Sequence, residues 1–558
     1  MKKLLLLLIV ISLFVSCKED NKTSSKRGDK GSKSEIFSLI PERTDALIKF
    51  NSLKDLLNHT GVKNLSEEAK LEFDKMKEEF GVDPTDEKSL RENGVDPSRE
   101  LAVTVDEVSI FANDPVFKIA FMIPVVDYNK LKDLISNSFT KDNSDVKITE
   151  ENGLTIININ DIDSPKFYMK NHKDYLLLTF GSSRENDGKN YLESFVNLKN
   201  SVDKNKNFAE ISGRVNLNDD IVFYYDFKST DFSNLASIGK DYLVPSTDQA
   251  FKQLKSYNGM FITLNFSTED LLADAVLSVD EGSDVYKMTR DLKFDKLSFK
   301  GIELPALLFV QSAFNVDEYY KFLMKYLEAD VKSEYDKVCQ DIKDKFGVDV
   351  EEDVIGNLSG SFNYGVFDGA SINMMNYNMA ATIGIKNRSL AEKTVEKFVS
   401  SLPDEQKGFI QQQTIEGIKT YIVVAGFTQI YLGITDSRLV VAPSKFIYEK
   451  AIKDSGKGFT EKLSSDVKEA VFGDNQVVYL DFNELISALQ NFSSMIVQFS
   501  SGSNPLSKDK IDEYKKLNYL LSYSHVDENI FISNFKVETS FGMPFFLGIK
   551  DMFEKISK

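Results

Sequence analysis

Few side chains in this sequence stand at spacings that could do chemistry. The three histidines, His59, His172 and His525, each lie far from any cysteine or second histidine at ligand spacing, so a metal site of that kind has no local basis. A Gly-x-Ser-x-Gly elbow, a phosphate-cradling Gly-rich loop ending in Lys-Ser/Thr and a His-Glu-x-x-His helix are all missing from the sequence. The densest acids are Asp349, Glu351, Glu352 and Asp353. Hard cations want several carboxylates, but this run lacks the calcium-loop spacing and reads as a solvated acidic turn that starts a helix. Cys339 shares a helical face with Tyr335 and Ile342 and reads as a small core residue. The expectation is a protein without enzymatic activity, cofactor or metal, although a catalytic set assembled from distant residues would leave no local trace.

One apolar stripe could hold a ligand. Leu485, Leu489, Phe492, Ile496 and Phe499 fall at helical spacing, with Ser, Gln and Asn on the other face and no basic residue between Asp481 and Ser507. A membrane-surface helix would carry Lys or Arg on its polar face, so the helix is expected to pack on a sheet. Laid across a sheet, it could also line a groove for an apolar ligand.

Cys17 belongs to a different kind of chemistry. Met1-Lys2-Lys3 is a positive end, Leu4 to Val15 an almost unbroken apolar run, and Ser16-Cys17 closes it with a small residue and a thiol, the layout of a secretory signal. The run is well short of the roughly 20 residues a spanning helix needs. Phe14-Val15-Ser16-Cys17 resembles the bacterial lipobox, in which the cysteine is diacylated and becomes the mature N-terminus. The resemblance implies a signal peptide over residues 1–16 and a membrane partner reached through lipid on Cys17. Acyl chains contribute about 0.8 kcal/mol per buried CH₂, and two or more make a lasting anchor. Lys18-Glu19-Asp20 lacks an aspartate directly after the cysteine and resembles the surface-export tag of Bacteroidetes lipoproteins. The implied address is the outer membrane, on its periplasmic side or at the cell surface. Residues 17–35 hold the lipidated cysteine and a flexible tether of mostly Lys, Ser, Gly and Asp.

The elements that would position any site are set by the body. With 86 acids against 68 bases the chain carries a formal charge of −18, which repels phosphate backbones and makes nucleic acid an unfavourable partner. It is 42% hydrophobic and rich in Phe and Tyr, enough for two proper cores over its 558 residues.

Those elements come twice, with a period of about 260 residues. Leu39-Ile40-Pro41 through Asp45-Ala46-Leu47-Ile48-Lys49-Phe50-Asn51 and a helical Leu53 to Leu57 are matched by Leu304-Pro305 through Val310, Phe314-Asn315 and a helical Tyr319 to Leu327. Phe80-Gly81-Val82-Asp83 and Phe346-Gly347-Val348-Asp349 both punctuate the end of an amphipathic helix, with Gly for the left-handed residue and Asp to cap the next helix. A strand over Phe117 to Val125 corresponds to one over Met379 to Ile385, and each leads into a helix, the second with Ala391, Val395, Phe398 and Leu402 on its apolar face. The segments Glu151 to Ile157 and Glu416 to Ile422 open hairpins with Phe167 to Phe180 and Ile430 to Ala442. The expected fold is α+β: two tandem repeated modules, residues 36–285 and 300–558, each a largely antiparallel sheet with helices packed on one side.

Ile40-Pro41 with Asp45-Ala46-Leu47, Val354-Ile355-Gly356-Asn357-Leu358-Ser359-Gly360, and Ile434-Thr435-Asp436-Ser437-Arg438-Leu439-Val440-Val441 resemble segments of large exported bacterial envelope proteins, two-module domains of unknown function. The resemblance implies fold and export and transfers no catalytic residue. Two readings of function are compatible with these features. One is an envelope lipoprotein whose body binds another protein or acts structurally. The other is a carrier of lipid or another apolar ligand. A large unfilled apolar cavity would favour the carrier, and solid cores with an exposed aromatic patch the binding module.

Overall fold

The computed structural model describes residues 34–60, 81–83, 85–109, 116–140, 145–159, 165–182, 187–230, 254–266, 270–294, 298–371, 378–426, 428–453, 458–473, 476–499 and 517–539, with a few single positions besides. It is an α+β chain whose strand pairings are antiparallel. The described residues fall into two compact units, one running to Asp280 with Ile530–Ile532, the other Glu281–Asn529 with Ser533–Glu538.

The first unit contains β1 (Ala46–Phe50), β2 (Leu101–Ser109), β3 (Val116–Pro124), β4 (Val146–Glu151), β5 (Leu154–Ile159), β6 (Phe167–His172), β7 (Tyr175–Gly181), β8 (Ile221–Asp226), β9 (Tyr257–Phe266) and β10 (Asp270–Val279). Their pairings give the order β10-β9-β8-β1-β2-β3-β7-β6-β5-β4. The second unit contains β11 (Ala306–Ala313), β12 (Leu358–Phe367), β13 (Met379–Ile385), β14 (Ile410–Ile415), β15 (Ile418–Ala425), β16 (Thr428–Ile434), β17 (Arg438–Ala442), β18 (Gln476–Asp481) and β19 (Leu517–Asp527). Their order is β19-β18-β11-β12-β13-β17-β16-β15-β14. From β1 to β9 and from β11 to β19 the pairings correspond one for one.

The local devices correspond too. Gly81 and Gly347 sit at φ +70° and +65°, the left-handed conformation that costs a residue without Cβ nothing. Six residues after a lysine in each case, Asp83 binds Lys77 at 2.9 Å and Asp349 binds Lys343 at 2.8 Å. The hairpin openings differ from the sequence expectation in one respect. Asn152-Gly153 and Glu416-Gly417 are two-residue turns with both φ values positive, so each expected strand is the second arm of a hairpin whose first arm is β4 or β14.

Helices pack on both faces of the first sheet, a correction to the one-sided expectation. Leu47, Ala120, Met122 and Tyr224 point one way, into a core with Ile36, Phe37, Tyr191 and Phe195 of the helix α4 (Asp187–Val196), and Phe208 of α5 (Lys206–Ser212). Phe50, Phe121, Leu178 and Phe180 point the other way, against Leu53 and Leu56 of α1 (Leu53–Thr60), Leu90 of α2 (Glu87–Glu92), and Leu131, Ile135 and Phe139 of α3 (Tyr128–Thr140). The physical sign of two-sided burial is β7, every residue of which is buried. Among the described residues, the first to enter a buried cluster is Ile36.

The second unit adds α6 (Val316–Tyr326), α7 (Ala329–Phe346), α8 (Arg388–Ser400), α9 (Lys445–Ile452), α10 (Ser465–Phe472) and α11 (Phe482–Phe499). On one sheet face Phe309, Phe367, Val440 and Val477 form a closed core with Tyr448 of α9, Val467 of α10, Phe299 and Phe459. The opposite face is different. Among the described residues no helix is long and apolar enough to cross a membrane.

Candidate functional site: a half-open apolar sheet face

Strand register places the side chains of this second face in rows. One row runs Leu520, Leu480, Leu308, Val366, Met379 across β19, β18, β11, β12 and β13. The next runs Val478, Val310, Tyr364, Ala381, Val441, Leu432 from β18 to β16. A third runs Phe362, Ile383, Leu439. All are uncharged, and all are half-buried or exposed, Val478 to 40%. Polarity is inverted relative to the closed face, where Gln311, Asn363, Thr382 and Arg438 are buried. The buried cluster on the open side is correspondingly small, Leu307 and Ala488 with Leu308, Val366 and Leu480 partly covered.

Side-chain volume accounts for the contrast with the first unit. There the equivalent face is filled by Phe139, Phe167 and Phe180, with ring centroids 4.8 and 5.0 Å apart along the series, and by Phe121 stacked on Phe180 at 6.2 Å. The register partners Phe121 and Leu178 on β3 and β7 have as counterparts on β13 and β17 the smaller pair Ala381 and Val441. Leu131, Ile135 and Phe139 of α3 are buried, whereas no residue of α8 is. Phe398, expected on the apolar face of α8, is 47% exposed and stacks on Phe346 at 4.7 Å.

Two helices border the open strip. α11 rests on β11, β18 and β19, fixed by Gly369 N–H donating to Glu484 at 2.8 Å and by Asn491 donating to the Ala370 carbonyl. Gly369 is needed there, since a Cβ would meet the Glu484 carbonyl oxygen at 2.1 Å. Burial raises the Glu484 carboxyl above its ordinary range, with Asp481 and Asp368 adding to the effect. α8 rests on β16, tied by Glu396 to Lys419 at 2.6 Å on the row position next to Tyr421, the register partner of Leu432. Of the stripe expected on α11, Leu485 and Leu489 are half-buried on the helix, on either side of the buried Ile486 and Ala488. The side chains of Phe492, Ile496 and Phe499 lie outside the described residues, as does Cys17. The sequence reading placed the helix on a sheet but missed the sheet face itself. Its signal was the apolar residues on both parities of Ala306-Leu307-Leu308-Phe309-Val310, where a one-sided strand would alternate.

The other chemical candidates resolve into structure. Asp349 accepts from the N–H groups of Glu351 and Glu352, and Asp353 pairs with Lys397 at 3.1 Å, so the acidic run is a capped turn. Hydrogen bonds from Lys343 and from the backbone hold the Asp349 carboxyl below its ordinary range. Among the described residues no three His, Cys, Asp or Glu side chains converge as a metal site. His172 and His525 belong to β6 and β19, in different units, and the His59 side chain lies outside the described residues. Burial, with Lys173 and Lys170 nearby, lowers the His172 pKa. Cys339 is half-buried on α7, a helix with no fully buried residue, which corrects the core reading. Tyr335, Cys339, Ile342 and Phe346 do share its covered side.

Lys49 and Asp106 are among the buried polar groups of the first unit that escaped the sequence reading. Lys49 is fully buried and donates to Glu100 at 3.0 Å, the Leu217 carbonyl at 2.5 Å and Asn51 at 3.3 Å. Burial lowers its pKa against the pull of Glu100. Asp106 is buried, and that burial, with the carboxylate of Asp45 beside it, pushes its pKa up to about 6.

Comparison with known proteins adds little to this geometry. No protein family matches the chain, and no curated protein does. Among solved structures, crystal form IV of TP0453 is 13% identical with a TM-score of 0.25, covering 43% of this chain and 79% of that one. Crystal forms I and III of TP0453 are 12% and 11% identical with the same TM-score, covering 45% and 44% of this chain and 82% and 80% of those. A likeness this slight carries no argument.

Proposed function

We propose that this chain is an envelope lipoprotein, anchored through lipid on Cys17, whose body binds an apolar ligand without chemically changing it. The observation that supports the reading is the second unit's two-faced sheet, closed over polar groups on one side and uncharged and half-open on the other. Fully burying a Val, Leu or Phe side chain contributes about 1.5–3 kcal/mol. A contiguous face of such residues left partly uncovered is a surface kept for a partner. It is this half-open face, and not the large enclosed cavity named above, that puts the apolar carrier, second of the two sequence readings, first. A protein-binding role draws on Phe314, Tyr319, Leu323, Val331 and Val338, exposed on and beside α6 and α7, with the Phe314 and Tyr319 rings 5.8 Å apart.

The reading predicts that the body from Ser34 onward, mixed with vesicles of neutral phospholipid carrying a pyrene-labelled acyl chain, withdraws label into a soluble complex that elutes with the protein on gel filtration. Label that stays wholly with the vesicles, while circular dichroism shows an intact fold, would count against it. Incorporation of labelled palmitate in growing cells, lost in Cys17→Ala, tests the anchor separately.

A further inference from the structure

Between α11 and α8, the half-open face narrows to the strip over β12, β13 and β17, lined by Tyr364, Met379, Ala381, Ile383, Leu439 and Val441. Among the strands it touches, α11 is centred on β18, and α8 rests on β16, five strand spacings or about 24 Å away, so two helices of about 10 Å diameter leave roughly 14 Å between them. We infer that this groove binds one acyl chain of a membrane lipid, an inference that rests on the carrier function and fixes its site and ligand class.

Two observations select that occupant. The six lining residues carry no charge, so a charged group lying on them would lose its hydration without gaining a partner, a cost that a hydrocarbon chain does not meet. Three strands wide and three side-chain rows long, the strip offers roughly 200 Å², against about 800 Å² per partner in a stable protein interface. A second copy of the chain would find too little surface there. What clears the groove is the replacement of aromatic bulk by Ala381 and Val441, where the first unit holds Phe121 and Leu178.

The chain contains no tryptophan, so Tyr364→Trp in the body from Ser34 onward places a single indole on the groove wall. The probe is a lysophosphatidylcholine with a brominated hexadecanoyl chain, used below its micelle concentration. The groove predicts saturable quenching of the indole, relieved by the unbrominated lipid. Ala381→Arg, which puts a charge on the strip, should weaken binding roughly tenfold or more. Ala381→Phe, which restores the bulk seen in the first unit, should do the same and remains informative if the arginine variant fails to fold. Equal quenching of Tyr319→Trp, on the exposed side of α6, would mark non-specific association and overturn the assignment. So would an indole shielded by self-association, visible as a concentration-dependent mass in light scattering. If Tyr364→Trp is silent while the protein still withdraws labelled lipid from vesicles, the groove is wrong and the carrier reading stands. If both fail, both fall.

Discussion

Lys49 shows how a single buried charge can organise one end of a sheet. Its ammonium meets Glu100, whose other oxygen accepts the N–H of Ile36 at 3.1 Å, so one ion pair ties the helical turn Glu35–Leu39 to β1 and to the start of β2. Lys49→Ala would leave Glu100 without its cation, which costs about 3 kcal/mol or more for a buried pair. Urea unfolding should show that loss, and a change under 1 kcal/mol, on the order of an exposed pair, would contradict the assignment. Asp106 makes the opposite prediction. Its folded pKa of about 6 lies above the ordinary value of 3.8, so the folded state holds its proton more tightly, and stability falls as pH rises from 4 to 6. Asp106→Asn removes that penalty. It should stabilise the protein by about 1–3 kcal/mol at pH 7.5 and by little near pH 4. An equal effect at both values would show that the shift is not the cause. Neither residue was legible beforehand, because a lysine or aspartate in a strand betrays its burial only when the strands on both sides are known.

At the scale of elements, turns and strands were the most readable features. Asn152-Gly153 is the preferred pair for a two-residue hairpin turn, and the corresponding Glu416-Gly417 holds a glutamate at φ +48°. A residue with a long side chain pays about 1 kcal/mol for that conformation, and Asn pays less. Glu416→Asn should therefore raise stability by about 0.5–1 kcal/mol, read as a higher melting temperature, and a lower one would mean that the Glu416 contact with Lys453 at 3.0 Å matters more than the turn. Both turns were read as parts of a strand because the arms that precede them, β4 and β14, were not read as strands. The helices were read correctly in place but not in partnership. Periodicity reports that α8 and α11 have an apolar side, yet it cannot report how completely the facing sheet covers that side. Hence Phe398 proved exposed, and Leu485 and Leu489 only half-buried.

Taken whole, the chain pairs two units of corresponding strand order with unequal interiors. One of them fills both faces of its sheet. In the other, the face beneath α11 is left apolar and incompletely covered, and this difference carries the functional account. The correspondence of strands was visible in the sequence as a period of about 260 residues. The inequality was not, since it depends on which small residues meet across a register, Ala381 with Val441, which only the pairing reveals. The most direct measurement is native mass spectrometry with lipid extraction on the body from Ser34 onward, purified from bacterial cells without detergent. The account predicts a co-purifying acyl lipid that disappears in Ala381→Arg while the fold survives. A protein that is empty in both forms, with its fold intact, would contradict it.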